Sequence, residues 1–235
     1  MTAAELAATL DSTNLRLDAT EAEIAALCDE AAAQRFACVM LYPASVPFAA
    51  RRLHGTGTRI GTVIGFPSGR FSTAAKRAEI EAAQVAGAHE VDIVMHYAAL
   101  REGRGAEAGA EIAALAVRAH ELGLLVKVIV ETCYLDAPQR LEALRLCEDA
   151  GVDFIKTSTG FGSAGAKVAH IREWAAARSR EIGLKASGGI KSLADALALI
   201  DAGATRLGTS SAAAIVAEFL GQRGTVTGDK TPGAY

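Results

Sequence analysis

The sequence predicts a single α/β domain closed as a (β/α)8 TIM barrel with a short N-terminal helical segment, and three observations carry that prediction. Strand-like and helical segments alternate strictly along the chain, which implies parallel strands with helices on the outside. The strand segments are apolar almost throughout, as strands buried on both faces must be. Glycine recurs at the helix-to-strand joints, at Gly87, Gly123, Gly151, Gly183 and Gly203. The chain has 235 residues, 51% of them hydrophobic, enough for one large core and close to the roughly 250 residues usual for such a barrel. An open doubly wound sheet would need a glycine-rich turn after its first strand, and Tyr42-Pro-Ala-Ser45 does not supply one.

Taken in order, residues 10–13 are a short segment that brings the strand count from seven to eight if it is the first strand. Thr20-Glu-Ala-Glu23 is a capping box, and Ile24, Leu27 and Cys28 follow at helical spacing toward Gln34. Residues 36–42 form an apolar strand stopped by Pro43, and 46–53 read as a helix. Residues 59–66 are the next strand, 73–86 an alanine-rich helix ending at Gly87, and 90–96 a strand with Asp92 in its middle. A helix over 106–122 leads into a strand over 124–131. Asp136 and Pro138 open another helix, which stops at Gly151 before a strand beginning at Val152. A helix over 167–179 and a strand over 183–187 follow. Ser192 caps the next helix, 206–210 is the last strand and 212–220 the last helix. The domain therefore spans 1–220, and 221–235 reads as a flexible tail.

A net charge of -3 points away from nucleic acid and from anionic membranes. The N-terminus lacks the pattern of a signal peptide, and no uncharged apolar run approaches the roughly 20 residues of a membrane span. Cys28, Cys38, Cys133 and Cys147 are scattered, without a Cys-x-x-Cys or a nearby histidine, and read as the buried thiols of a cytoplasmic protein without a metal site or cofactor.

Asp92, Lys127, Lys156 and Lys185 each interrupt an apolar strand. In a closed barrel all four converge on one lumen, where like charges in a low dielectric repel and some must be neutral at pH 7. A neutral amine beside a carboxylate, with no metal ligands, is the equipment of Schiff-base chemistry: the amine attacks a carbonyl, the iminium accepts electrons from a breaking carbon–carbon bond, and Asp92 manages protons. Lys156 and Lys185, on neighbouring strands, are expected to lower one another's proton affinity by charge repulsion. The turns Lys185-Ala-Ser-Gly-Gly189 and Gly208-Thr-Ser-Ser211, each leading into a helix, offer backbone N–H groups and hydroxyls to an anion such as phosphate.

The strand motifs Phe154-Ile-Lys-Thr-Ser-Thr-Gly160, Val126-Lys-Val-Ile-Val-Glu-Thr132, Glu90-Val-Asp-Ile-Val94, Lys185-Ala-Ser-Gly-Gly-Ile190 and Gly208-Thr-Ser-Ser211, with Leu10-Asp-Ser-Thr-Asn-Leu15 and Thr62-Val-Ile-Gly-Phe-Pro67, resemble those of the deoxyribose-phosphate aldolase family, in order, from about residue 10 to 220. The resemblance implies a class I aldehyde-lyase that reversibly cleaves 2-deoxy-D-ribose 5-phosphate to D-glyceraldehyde 3-phosphate and acetaldehyde, with no metal. It makes Lys156 the Schiff-base lysine, Lys185 its activating neighbour and Asp92 the acid/base. It assigns Gly160, Gly188, Gly189, Gly208, Ser210 and Ser211 to the phosphate, Asp11 and Thr13 to the site lining, and Lys127 to an electrostatic role. Family habit adds a homodimer. The Schiff-base machinery alone leaves room for another barrel aldolase acting on a different phosphosugar. A phosphosugar-binding barrel without chemistry is opposed by the presence of Lys156, Lys185 and Asp92 together.

Two positions depart from the family pattern. Met40 stands where many relatives carry a cysteine, and Phe161 replaces a lysine found in some members beside the phosphate. Tyr235, at the end of a tail with Gly228 and Gly233, is a candidate to fold over the barrel mouth.

Overall fold

The computed structural model of the protein describes residues 1–221. Eight parallel strands close a barrel in chain order: β1 Leu10–Asn14, β2 Cys38–Leu41, β3 Arg59–Ile64, β4 Glu90–Val94, β5 Leu125–Ile129, β6 Phe154–Lys156, β7 Gly183–Ser187 and β8 Arg206–Thr209. The segment at residue 10 is indeed a strand. It closes the barrel by pairing Asp11 with Cys38 on one side and with Gly208 on the other.

The helices are α1 Ala3–Ala7, α2 Glu21–Gln34, α3 Val46–Arg52, α4 Thr73–Ala86, α5 Tyr97–Arg101, α6 Gly105–Glu121, α7 Ala137–Asp149, α8 Val168–Ala177, α9 Leu193–Asp201 and α10 Ala212–Phe219. Thr20, Asp136 and Ser192 cap α2, α7 and α9 as their sequences predict, each in a reciprocal capping box. A cap of this kind stabilises by about 1 kcal/mol. Outward strand residues such as Val39, Ile60, Val91, Val128 and Leu184 bury against Ile24, Ile80, Ile112, Leu144 and Trp174, so the main core is the shell between barrel and helices.

Three local expectations change. Gly183 is not a helix-stopping joint: it lies inside β7, where a Cβ would come within 2.3 Å of the Phe154 ring. The lysine strand is short, ending at Lys156, and beyond it the Thr157 hydroxyl donates to the Ser187 carbonyl and accepts from the Ser187 backbone N–H. Helix α5 has no capping side chain, which is why its five residues leave no start signal in the sequence.

Candidate active site

Side chains of a strand alternate between faces, so each strand gives the lumen every second residue. The lumen residues stack in tiers drawn from alternate strands. Cys38, Glu90, Phe154 and Arg206 come from the even strands near their starts. Asp11, Gly61, Lys127 and Lys185 come from the odd strands, and Met40, Asp92, Lys156 and Gly208 from the even strands again. Two glycines make room: a Cβ on Gly61 would come within 2.4 Å of the Met40 Cε, and one on Gly208 would press on the Lys185 side chain at 3.3 Å.

Asp92 is the hub. Its Oδ1 accepts from Lys127 Nζ at 2.9 Å, and its Oδ2 accepts from Lys156 Nζ at 2.6 Å and Lys185 Nζ at 2.8 Å. Lys185 also donates to Asp11 at 2.5 Å, and Lys127 pairs with Glu90 at 2.5 Å. Below them the Arg206 guanidinium reaches Asp11 Oδ1 through Nε at 2.7 Å and Glu90 Oε2 through Nη2 at 2.9 Å. Asp11, Glu90, Asp92, Lys127 and Lys185 are fully buried, and Lys156 is 3% exposed.

Charge crowding sets the protonation states. Burial alone would push the Asp92 carboxyl up, but Lys127, Lys156 and Lys185 together hold it well below the usual carboxylate range. The same contest leaves Asp11 at about 2, with Lys185 and Arg206 outweighing burial. Burial opposes the charge on Lys127, yet Asp92, Glu90 and Asp11 raise its affinity for the proton above the ordinary value. Lys156 goes the other way: burial lowers it to about 8, opposed by Asp92 and reinforced by Lys185.

Two expectations are corrected here. Burial, more than the neighbouring cation, lowers Lys156, because the charge on Lys185 is matched by Asp11 and Asp92. Among the described residues the lumen also holds three carboxylates rather than one: Asp11, Glu90 and Asp92. Asp11, Cys38 and Glu90 are close enough to form a metal-ligand set, but the Arg206 guanidinium binds both carboxylates and takes that space.

A cavity of about 250 Å³ opens above Lys156 at the C-terminal ends of the strands. Thr13, Gly160, Gly188, Gly189, Gly208 and Ser210 line it, as do Thr159 and Ser187. Asp92, Lys127, Lys185 and Asp11 lie beneath its floor, so Lys156 is the only one of the lysines interrupting the strands that faces it. Gly188 sits at φ +84°, and a Cβ there would come within 3.0 Å of the Gly165 Cα and 3.6 Å of the Gly160 Cα, so the two glycine turns lie close together. Ser211 does not line the cavity: its backbone N–H donates to Thr209 Oγ1 at the start of α10. The tail reading and Tyr235 lie outside the described residues.

Sequence reasoning missed Arg16 and Lys191, two cations on the cavity rim, since neither sits in a strand. It also missed Glu131, a non-glycine residue at φ 53°. The Glu131 carboxylate accepts from the Thr159 backbone N–H at 3.2 Å and from its hydroxyl, fixing the turn that carries Gly160. Cys133 packs 3.8 Å from that carboxylate. At the mouth Phe161 packs edge-on against Phe66 at 5.2 Å, and Phe66 against Tyr42 at 5.8 Å, so the residue that departs from the lysine of some members joins an aromatic group.

Residues 6–229 match the family model described as DeoC/LacD family aldolase. The chain is 44% identical over 214 residues to the deoxyribose-phosphate aldolase of Carboxydothermus hydrogenoformans, covering 90% of this chain and 94% of that one. It is 42% identical over 216 residues to the enzyme of the same name from Aciduliprofundum boonei, covering 92% and 97%. Among solved structures, the deoxyribose phosphate aldolase of Aeropyrum pernix, described as a tetramer, superposes with a TM-score of 0.87 at 32% identity, covering 93% of this chain and 92% of that one. With the closed parallel barrel and the lysine–carboxylate lumen already in place, these likenesses show that the chain belongs to the DeoC/LacD family of aldolases.

Proposed function

We propose that this aldolase reversibly cleaves 2-deoxy-D-ribose 5-phosphate to D-glyceraldehyde 3-phosphate and acetaldehyde through a Schiff base on Lys156. The observation that carries the reading is a single buried lysine, with its proton affinity lowered to about 8, opening into a cavity walled by glycine and serine turns. At pH 7 roughly a tenth of that amine is neutral and nucleophilic.

The neutral Nζ of Lys156 adds to the C1 aldehyde of the open-chain sugar, and loss of water leaves a protonated imine. Removal of the proton from the C3 hydroxyl lets the C2–C3 bond break. Its electron pair moves onto the iminium as an enamine, and D-glyceraldehyde 3-phosphate leaves. Protonation of the enamine at C2 and hydrolysis of the imine release acetaldehyde and restore the amine. Asp92, with Lys185 bound to the same oxygen, supplies and collects these protons, directly or through water. Lys127 holds Asp92 ionised by pairing with its other oxygen. Gly160, Gly188, Gly189, Gly208 and Ser210 face the phosphate, with Ser211 behind them at the start of α10 and Arg16 and Lys191 adding positive charge at the rim. Asp11 and Thr13 support the site from β1, Asp11 by holding Lys185. The catalytic unit is the barrel domain of residues 1–220, acting in the cytoplasm without a metal and assembling as a homodimer.

The test pairs an aldol-cleavage assay with borohydride trapping. Deoxyribose 5-phosphate should turn over far faster than ribose 5-phosphate, and acetaldehyde plus borohydride should leave a reduced adduct that maps to Lys156. An adduct on Lys185 would reverse the roles, and comparable rates on both sugars would sink the substrate assignment.

A further inference from the structure

The lumen ions count differently once the lowest tier is included. The described lumen holds three carboxylates, Asp11 on β1 with Glu90 and Asp92 on β4. Against them stand Lys127 on β5, Lys156 on β6, Lys185 on β7 and Arg206 on β8. Strands β2 and β3 bring Cys38, Met40, Gly61 and Val63, and burial raises the Cys38 thiol so that it stays neutral. Arg59, at the start of β3, reaches Glu90 from a half-exposed position in solvent. Glu131, beyond β5, binds the Thr159 N–H and hydroxyl; burial raises its carboxyl, opposed by Thr159 and, more weakly, by the charge on Lys156, and it lies outside the strand lumen. With Lys156 neutral, the buried carboxylates and cations balance one for one. A protonated Lys156 adds a cation without a carboxylate of its own.

We propose that Arg206 and Glu90, which do not line the cavity, are positioning residues that govern how readily Lys156 loses its proton. The route is the sharing of Asp92. Arg206 occupies one oxygen of Asp11 and binds Glu90, so Lys185 and Lys127 keep Asp92 as their second partner. Without Arg206, Asp11 and Glu90 claim those lysines more fully, and Asp92 is left to Lys156, which then keeps its proton. Without the Glu90 charge, Lys127 leans on Asp92, and Lys156 loses part of its counter-ion.

The inference rests on Lys156 as the Schiff-base lysine, and its test separates the two. The readout is the pH dependence of kcat/KM for deoxyribose 5-phosphate cleavage, whose acid limb follows loss of the Lys156 proton, alongside mapping of the borohydride adduct. Arg206→Gln should move the acid limb up by roughly half to one pH unit, and Glu90→Gln should move it down by roughly as much. Arg206→Lys, which keeps the charge, should restore most of the parent profile. The double variant Arg206→Gln/Glu90→Gln, which keeps the balance, should lie near the parent, and it decides the matter if a single variant fails to fold. Shifts in the same direction, unmoved limbs, or a double variant displaced as far as a single one would overturn the proposal. An unmodified protein that traps no adduct on Lys156 would overturn the Schiff-base reading instead.

Discussion

From β4 round to β1 the barrel lumen is lined by Glu90, Asp92, Lys127, Lys156, Lys185, Arg206 and Asp11, whereas across β2 and β3 it is lined by Cys38, Met40, Gly61 and Val63. Leu15, Tyr42 and Phe66 extend the apolar side toward the mouth. Both sides are equally dry, yet only one carries charge. A buried ion survives only where a partner of opposite sign stands within hydrogen-bond reach, and each ion on the charged side has at least one. The apolar side asks only for volume, which Gly61 and Met40 fill together. The contrast teaches that charge in this lumen is a collective property, while the apolar wall is built by local fit.

The largest test of that contrast removes the amine proposed to form the Schiff base. Lys156→Leu should abolish the borohydride adduct and lower kcat by on the order of 10⁵ or more. Retained adduct formation would move the nucleophile elsewhere.

The next effect is on stability. Lys156 has its proton affinity lowered from the ordinary 10.5 to about 8, so between those values the unfolded chain binds a proton that the native protein does not. Stability of the parent therefore rises with pH across that window, and below pH 8 the native state carries the full burden of a buried cation. Measured against Lys156→Leu by denaturant unfolding, the parent should gain about 3 kcal/mol between pH 8 and 10.5. A difference that does not change with pH would mean that Lys156 is not held below its usual range.

The smallest effect belongs to the apolar wall. Met40→Leu conserves volume and should cost less than about 1.5 kcal/mol, with the acid limb of the pH–rate profile unmoved. A shift of that limb would show that the two sides are coupled after all.

Much of the fold was legible because it rests on short-range chemistry. The capping boxes at Thr20 and Ser192 and the glycines at Gly87, Gly123, Gly151 and Gly203 act within a few residues of themselves. The joint after α2 falls at Gln34 as read, although Arg35 rather than a glycine takes its left-handed turn, at φ 57°. Glu90 and Arg206 were passed over because each is the first residue of its strand and reads as an ordinary edge charge. Counting by twos from Asp92 and Gly208 would have turned both inward.

By itself the sequence determined the alternation of elements, the parallel sheet, and the presence of Asp92, Lys127, Lys156 and Lys185 in strands too apolar to leave them exposed. Those follow from periodicity and from the cost of burying charge, which any stretch of chain carries within itself. Only the tertiary structure decided that three carboxylates share four cations, that burial more than Lys185 lowers Lys156, and that Lys156 faces the cavity while Lys127 and Lys185 lie beneath it. Partners such as Lys185 and Asp11 are 174 residues apart in the chain. Their pairing depends on where β1 and β8 meet, and barrel closure alone sets that.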